Sequence, residues 1–71
     1  MKLQEFFQKF KLSEGNLVSV LTKKQQILEG TVIPSNDEGI LVLKLKSGYN
    51  AGIKIGEVSE VKKLSEGKTV G

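Results

Sequence analysis

Cysteine, histidine, tryptophan and arginine are all missing from this chain of 71 residues. Without cysteine there is neither a disulfide nor a thiolate metal site to staple the fold. Without histidine as well, the common zinc ligands and the common general base are gone. The six serines and three threonines therefore have no imidazole to activate them. A catalytic triad is excluded, and a Ser–Lys pair is the one nucleophile arrangement left. The composition argues that this chain alone is not an enzyme and carries no cofactor.

Arginine's absence bears on partners. The net charge is +3 and every cation is a lysine. Lysine acts as a point charge, whereas bidentate recognition of phosphate or guanine is arginine's chemistry. A mild lysine excess permits weak attraction to nucleic acid without specifying it. No run approaches the roughly 18 apolar residues of a membrane helix, and Lys2 is not followed by the apolar core of a signal peptide. The reading is a cytoplasmic protein with no membrane association.

What is present is a chain long enough for one small domain, which buries only about 60% of its unfolded surface. Leu3, Phe6, Phe7 and Phe10 recur at i, i+3, i+4 and i+7, which predicts a short helix over about 2–10 with all three phenylalanines on one face. So short a helix does not persist alone in water, so its Phe face must dock, on the domain's own core or on a partner. Ser13, Glu14, Gly15 and Asn16 are turn formers, and beyond them the period changes to two. Strands are predicted over about 17–22, 26–33, 40–46, 49–55 and 58–64. Lys23, Lys24 and Gln25 form a hairpin tip, residues 35–39 a loop, and Gly56-Glu57 a single helical twist. Gly30 interrupts the second strand and marks a bend, a bulge or a close backbone approach, and Pro34 closes that strand. Residues 65–71 read as a polar tail or linker stub, leaving 1–64 as the domain.

One helix and five short strands predict a mainly β, small antiparallel barrel of SH3-like or Sm-like type, with a longer-stranded OB-type barrel as the alternative. Its interior would hold Val18, Val20, Leu28, Val32, Leu41, Leu43, Leu45, Ala51, Ile53 and Val61. The stretch LKLKSGYNAGI, Leu43 to Ile53, fixes the register of one hairpin. A two-residue loop at Ser47-Gly48 would drive Asn50 and Lys54 inward, at a desolvation cost. A three-residue loop, Lys46-Ser47-Gly48, instead sets Leu45, Leu43 and Leu41 opposite Tyr49, Ala51 and Ile53 on the core face, with Gly48 in the left-handed position that this loop class needs. Lys44, Asn50 and Lys54 then share the outer face. From Gly39 to Gly56 there are three lysines and no acid, so Lys44, Lys46, Asn50 and Lys54 are the candidate contact residues for a partner or for RNA.

These segments resemble a known family. LEGTVIP, followed by LVLKLKSGYNAGI and preceded by EGNLVSV, is similar to the N-terminal domain of the asparaginase-like subunit of the archaeal glutamyl-tRNA(Gln) amidotransferase. That domain typically reads EG-x-hydrophobic-hydrophobic-P, LKL-x-NGYN-x-GI and GD-x-V-x-V. The likeness runs over about residues 12–64, and its motif positions here include Gly30, Pro34, Gly48, Tyr49 and Gly52. Ser47 stands where Asn is usual, Ala51 where Ile is usual, and the 35–39 loop is short. The resemblance implies a non-catalytic interaction and positioning domain in the route from Glu-tRNA(Gln) to Gln-tRNA(Gln). The family's glutamine hydrolysis belongs to an asparaginase-like domain with a Thr-Gly-Gly-Thr loop, which these 71 residues do not contain. The implied partners are that asparaginase-like domain, the transamidase subunit, and tRNA through a weak contact. The alternative is a free-standing small-barrel protein that binds nucleic acid. Against it stand the missing arginine, the single tyrosine, and the placement of Asn36 and Asp37 in a loop, not on the strands where an Sm-type RNA site carries its Asp and Asn.

Overall fold

The computed structural model describes residues 1–65. A short helix α1, Leu3–Phe10, precedes five strands: β1 Leu17–Thr22, β2 Ile27–Ile33, β3 Ile40–Leu45, β4 Asn50–Lys54 and β5 Val58–Ser65, the last entered through a 3-10 turn at Ile55–Glu57. Each element lies within about two residues of its sequence expectation, and Ser65 belongs to β5, not to a tail. Residues 66–71, the rest of the expected tail, lie outside the described residues. No helix among the described residues is long and apolar enough to cross a membrane.

The helix forms because its apolar stripe has somewhere to go. Phe6 is buried at 2% exposure, while Leu3, Phe7 and Phe10 are half-buried against the same core. Burial of a phenylalanine is worth about 1.5–3 kcal/mol, which offsets the helix's poor intrinsic stability. At its start the Glu5 carboxylate accepts the Lys2 N–H at 2.9 Å. Lys2 has no side-chain acceptor to return, so half of a reciprocal cap is made. At its end Lys11 adopts a left-handed backbone, φ 55°, where its N–H donates to the Gln8 carbonyl and the Leu12 N–H to that of Phe7. This is a Schellman closure, and it turns Leu12 into the core at 7% exposure. The Leu3 N–H donates to the Glu38 carbonyl at 2.6 Å, tying the helix to the loop between β2 and β3.

All five strands belong to one antiparallel sheet in the order β4-β3-β2-β1-β5. The expected barrel is not closed by pairing: among the described residues β4 and β5 are the two edges, and no ladder joins them. Val18, Val20, Val32, Leu41, Leu43 and Ile53 are buried on the inner face, while Leu28, Leu45, Ala51 and Val61 are half-buried there. Two polar residues, Asn16 and Thr22, are buried in phase with Val18 and Val20. Asn16 is only 2% exposed. Its Oδ1 accepts the Ser13 N–H at 2.9 Å, its carbonyl accepts the Val32 N–H at 2.9 Å, and the neighbouring Gly15 N–H donates to the Val32 carbonyl. Thr22 is 6% exposed, and its hydroxyl oxygen accepts the N–H groups of Lys24 and Gln26.

The two tight hairpins repeat one design. In the first, the Thr22 N–H donates to Gln26 at 2.8 Å and the Gln25 N–H to Thr22 at 2.9 Å. In the second, the Leu45 N–H donates to Tyr49 at 2.8 Å and the Gly48 N–H to Leu45 at 2.9 Å. Both are three-residue loops whose last residue is left-handed: Gln25 at φ 67° and Gly48 at φ 96°. Gly30 answers a different demand. A Cβ there would lie 2.7 Å from the Lys44 carbonyl oxygen, so β2 and β3 approach too closely for any side chain.

Candidate interaction surface

The β3–β4 hairpin pairs Leu41 with Ile53, Val42 with Gly52, Leu43 with Ala51 and Lys44 with Asn50. This is the register that keeps lysine out of the core. Ile40, Val42 and Lys44 of β3 and Asn50, Gly52 and Lys54 of β4 consequently share the outer face, with Thr31 of β2 beside Lys44. Lys44, Lys46, Asn50 and Lys54 are all exposed. Lys44 and Asn50 are cross-strand neighbours. Lys54 sits at the far end of the hairpin, opposite Ile40, and Lys46 lies in the turn.

Tyr49 departs from expectation. The alternation puts it across from Leu45 on the core side, yet it is 75% exposed. It precedes the first paired residue of an edge strand, and among the described residues no strand lies on its far side to cover the ring. Leu45's other neighbour in the ladder is Gly30, which offers no side chain to build a wall there.

Main-chain direction adds a second property to β4. The Leu45 N–H bonds Tyr49 and the Ile55 N–H bonds the Gly39 carbonyl. Because bonded pairs alternate along an antiparallel ladder, Ala51 and Ile53 turn their N–H and C=O groups toward β3. Those of Asn50, Gly52 and Lys54 point to the open edge. Along that edge runs a groove with Leu28 and Ile53 as apolar walls and Lys24, Gln26, Lys54 and Glu57 as polar rim. The Lys23 N–H, bonded to the Glu57 carbonyl at 2.8 Å, holds the two sides of this end together. Sequence reasoning missed the groove because it joins residues 22–28 to 52–57, a juxtaposition set by sheet curvature and not by any local motif. Among the described residues no three His, Cys, Asp or Glu side chains gather where a metal could be held. The surface offers main-chain hydrogen bonds, ammonium groups and one aromatic ring, which is the chemistry of contact.

The GatD N-terminal domain family matches residues 12–64, from the helix-closing Leu12 to Leu64 in the last strand. The chain belongs to this family. The GatD subunit of the glutamyl-tRNA(Gln) amidotransferase of Sulfolobus acidocaldarius is 36% identical over 67 residues, covering 92% of the chain and 15% of that protein. Its counterpart in Pyrobaculum aerophilum is 40% identical over 55 residues, 73% of the chain and 13% of the relative. That of Saccharolobus islandicus is 35% identical over 68 residues, 92% of the chain and 15% of the relative. This GatD N-terminal domain thus spans about 15% of the length of the curated relatives it matches.

Proposed function

We propose that residues 1–64 act as one non-catalytic interaction and positioning module of a tRNA-dependent amidotransferase subunit, on the route from Glu-tRNA(Gln) to Gln-tRNA(Gln). The carrying observation is the extent of the match: residues 12–64 align with the GatD N-terminal domain, and the chain corresponds to about 15% of relatives named for that reaction. The residue inventory supports a non-catalytic role, because the sequence holds no cysteine or histidine to serve as nucleophile or base. The partners are the asparaginase-like domain of the same subunit and the transamidase subunit, in the cytoplasm. The fold reading is a small SH3-like barrel. Its support is the up-and-down order of β1 to β4, the 3-10 turn before β5, and the return of β5 to pair with β1.

A weak tRNA contact is the second reading, and one observation favours it. Tyr49 is exposed beside Asn50 and the turn that carries Lys46, so a ring for base stacking lies close in the chain to a cation for phosphate.

The test is a chimera in which this chain replaces the matching segment of the Sulfolobus acidocaldarius GatD subunit. The chimera is expected to assemble with its transamidase and support glutamine-dependent amidation, while the 71-residue chain alone releases no ammonia from glutamine. A chimera that folds but fails to assemble, or turnover by the purified chain alone, refutes the proposal. Within the chimera Asn50→Thr separates scaffold from surface: melting stays unchanged because Asn50 is exposed, and assembly weakens if this face is used.

A further inference from the structure

We propose that the open edge of β4 is a docking site for an extended acidic segment of a partner protein, which joins the sheet as a sixth strand. The inference rests on the interaction reading above and names the surface and the chemistry of its occupant. An edge strand exposes a row of unpaired N–H and C=O groups, and proteins blunt such rows with bulges, charges or proline. The two edges of this sheet are treated differently. Against β1, the β5 ladder shifts register twice, between Leu17 and Val18 and between Leu21 and Thr22. The extra residues, Ser59 and Leu64, fall on β5, which also carries Glu60, Lys62 and Lys63. The β4 ladder has no shift and no proline, and Lys54 is its single charge. Two register shifts and three charged residues blunt β5, whereas β4 has Lys54 alone.

The bare edge is also shaped for a strand. Asn50, Gly52 and Lys54 turn their main-chain groups outward, and all three residues are exposed. A segment paired there would place alternate side chains on opposite faces. One set enters the groove against Leu28 and Ile53. The other lies on the outer face beside Lys54, with Lys44 one strand further in. Between Gly39 and Gly56 there are three lysines and no acid, so charge complementarity selects carboxylates for the outer set and apolar residues for the inner. Gly52, at the centre of the edge, raises no side chain over the outer face. Outward N–H and C=O groups at alternate residues match a peptide, which offers both acceptors and donors at that spacing; a nucleic acid strand does not. The arrangement also accounts for Asn50, a poor strand former placed where an added strand would begin.

The test uses the 71-residue chain and three probes: an alternating Glu-Val octapeptide, its Lys-Val counterpart and unfractionated tRNA. Amide hydrogen exchange is read residue by residue by NMR. In the free chain, Asn50, Gly52 and Lys54 are expected to exchange about tenfold or more faster than Ala51 and Ile53. The Glu-Val peptide should slow those three by about tenfold or more, and the Lys-Val peptide should not. Gly52→Pro removes the central N–H, which proline tolerates at an edge, and should abolish the protection. Its ring crowds Ile40, because even a Cβ at this position comes within 3.2 Å of the Ile40 Cγ2. Lys54→Glu, at an exposed position, therefore serves as the second variant and should exchange the preference between the two peptides. A free chain without the alternation, or peptide binding that leaves the three amides unchanged, overturns the proposal. So does a response of this hairpin to tRNA alone, which would make the face an RNA surface. The peptide assay reads only the edge, so a working chimera whose edge takes no peptide would remove this inference and leave the interaction reading standing.

Discussion

The matched hairpins provide an internal control for backbone strain. Gln25 and Gly48 occupy the same left-handed position of the same loop class, at φ 67° and 96°, with the same pair of hydrogen bonds around them. A side chain with a Cβ costs roughly 1–2 kcal/mol in this region, so Gln25→Gly relieves that strain. The substitution also gives the unfolded chain more freedom, which returns about 0.4–1 kcal/mol. The net expectation is a gain of about 0.5–1 kcal/mol, or about 3–6 °C in a domain of this size. Gly48→Ala is the mirror experiment. A Cβ at Gly48 would meet nothing within 4 Å, so no collision confuses the reading, and the loss should be roughly 1 kcal/mol from backbone strain alone. Urea denaturation of the three proteins, analysed at constant slope, measures both changes. If Gln25→Gly destabilises the chain, or Gly48→Ala leaves it unchanged, the left-handed assignments do not govern these turns.

Leu43 is fully buried at 0% exposure. Leu43→Ala should cost about 2–5 kcal/mol, which threatens folding in so small a domain, and a urea melt checks it. Asn16→Ala removes the acceptor that the buried Asn16 offers the Ser13 N–H, and should cost about 1–3 kcal/mol in the same assay. Reversing the charges of Lys44, Lys46 and Lys54 together should leave the circular dichroism spectrum intact, since all three are exposed. It should also flatten the salt dependence of any tRNA binding, measured by filter retention across ionic strengths; unchanged binding removes these lysines from contact with tRNA.

Most of the fold could be read from the chain because each element carries its own period and its own punctuation. The change from 3.6 to 2 near Ser13 separated helix from sheet. The cost of burying Asn50 and Lys54 selected the three-residue loop, and with it the observed pairing of Lys44 with Asn50. What escaped was non-local or depended on strand neighbours. Tyr49 alternates correctly for the core, yet alternation says nothing about whether another strand lies beyond an edge. Asn16 reads as a turn former, and its burial follows from the docking of the 13–16 loop on Val32. Whether five strands close into a barrel depends on accumulated twist, which leaves no mark at any single position. The candidate surface was half legible: the lysines stand out as a run without acids, whereas the groove beside them exists only after folding.

The pairing of β1 with β5 has a consequence for how the chain reaches its fold. β1 through β4 are joined by neighbouring hairpins, so their ladders form between residues close in sequence. The Leu17–Ser65 pair, by contrast, joins the first residue of β1 to the final residue of β5. Closing so large a loop carries an entropy cost that local ladders avoid, and contacts of this kind slow folding. During synthesis the meander can assemble as it emerges, but one side of β1 stays bare until the last strand has left the ribosome. Until then the sheet has an open edge at β1 as well as at β4, and the arrival of β5 covers the first with its bulged, charged strand.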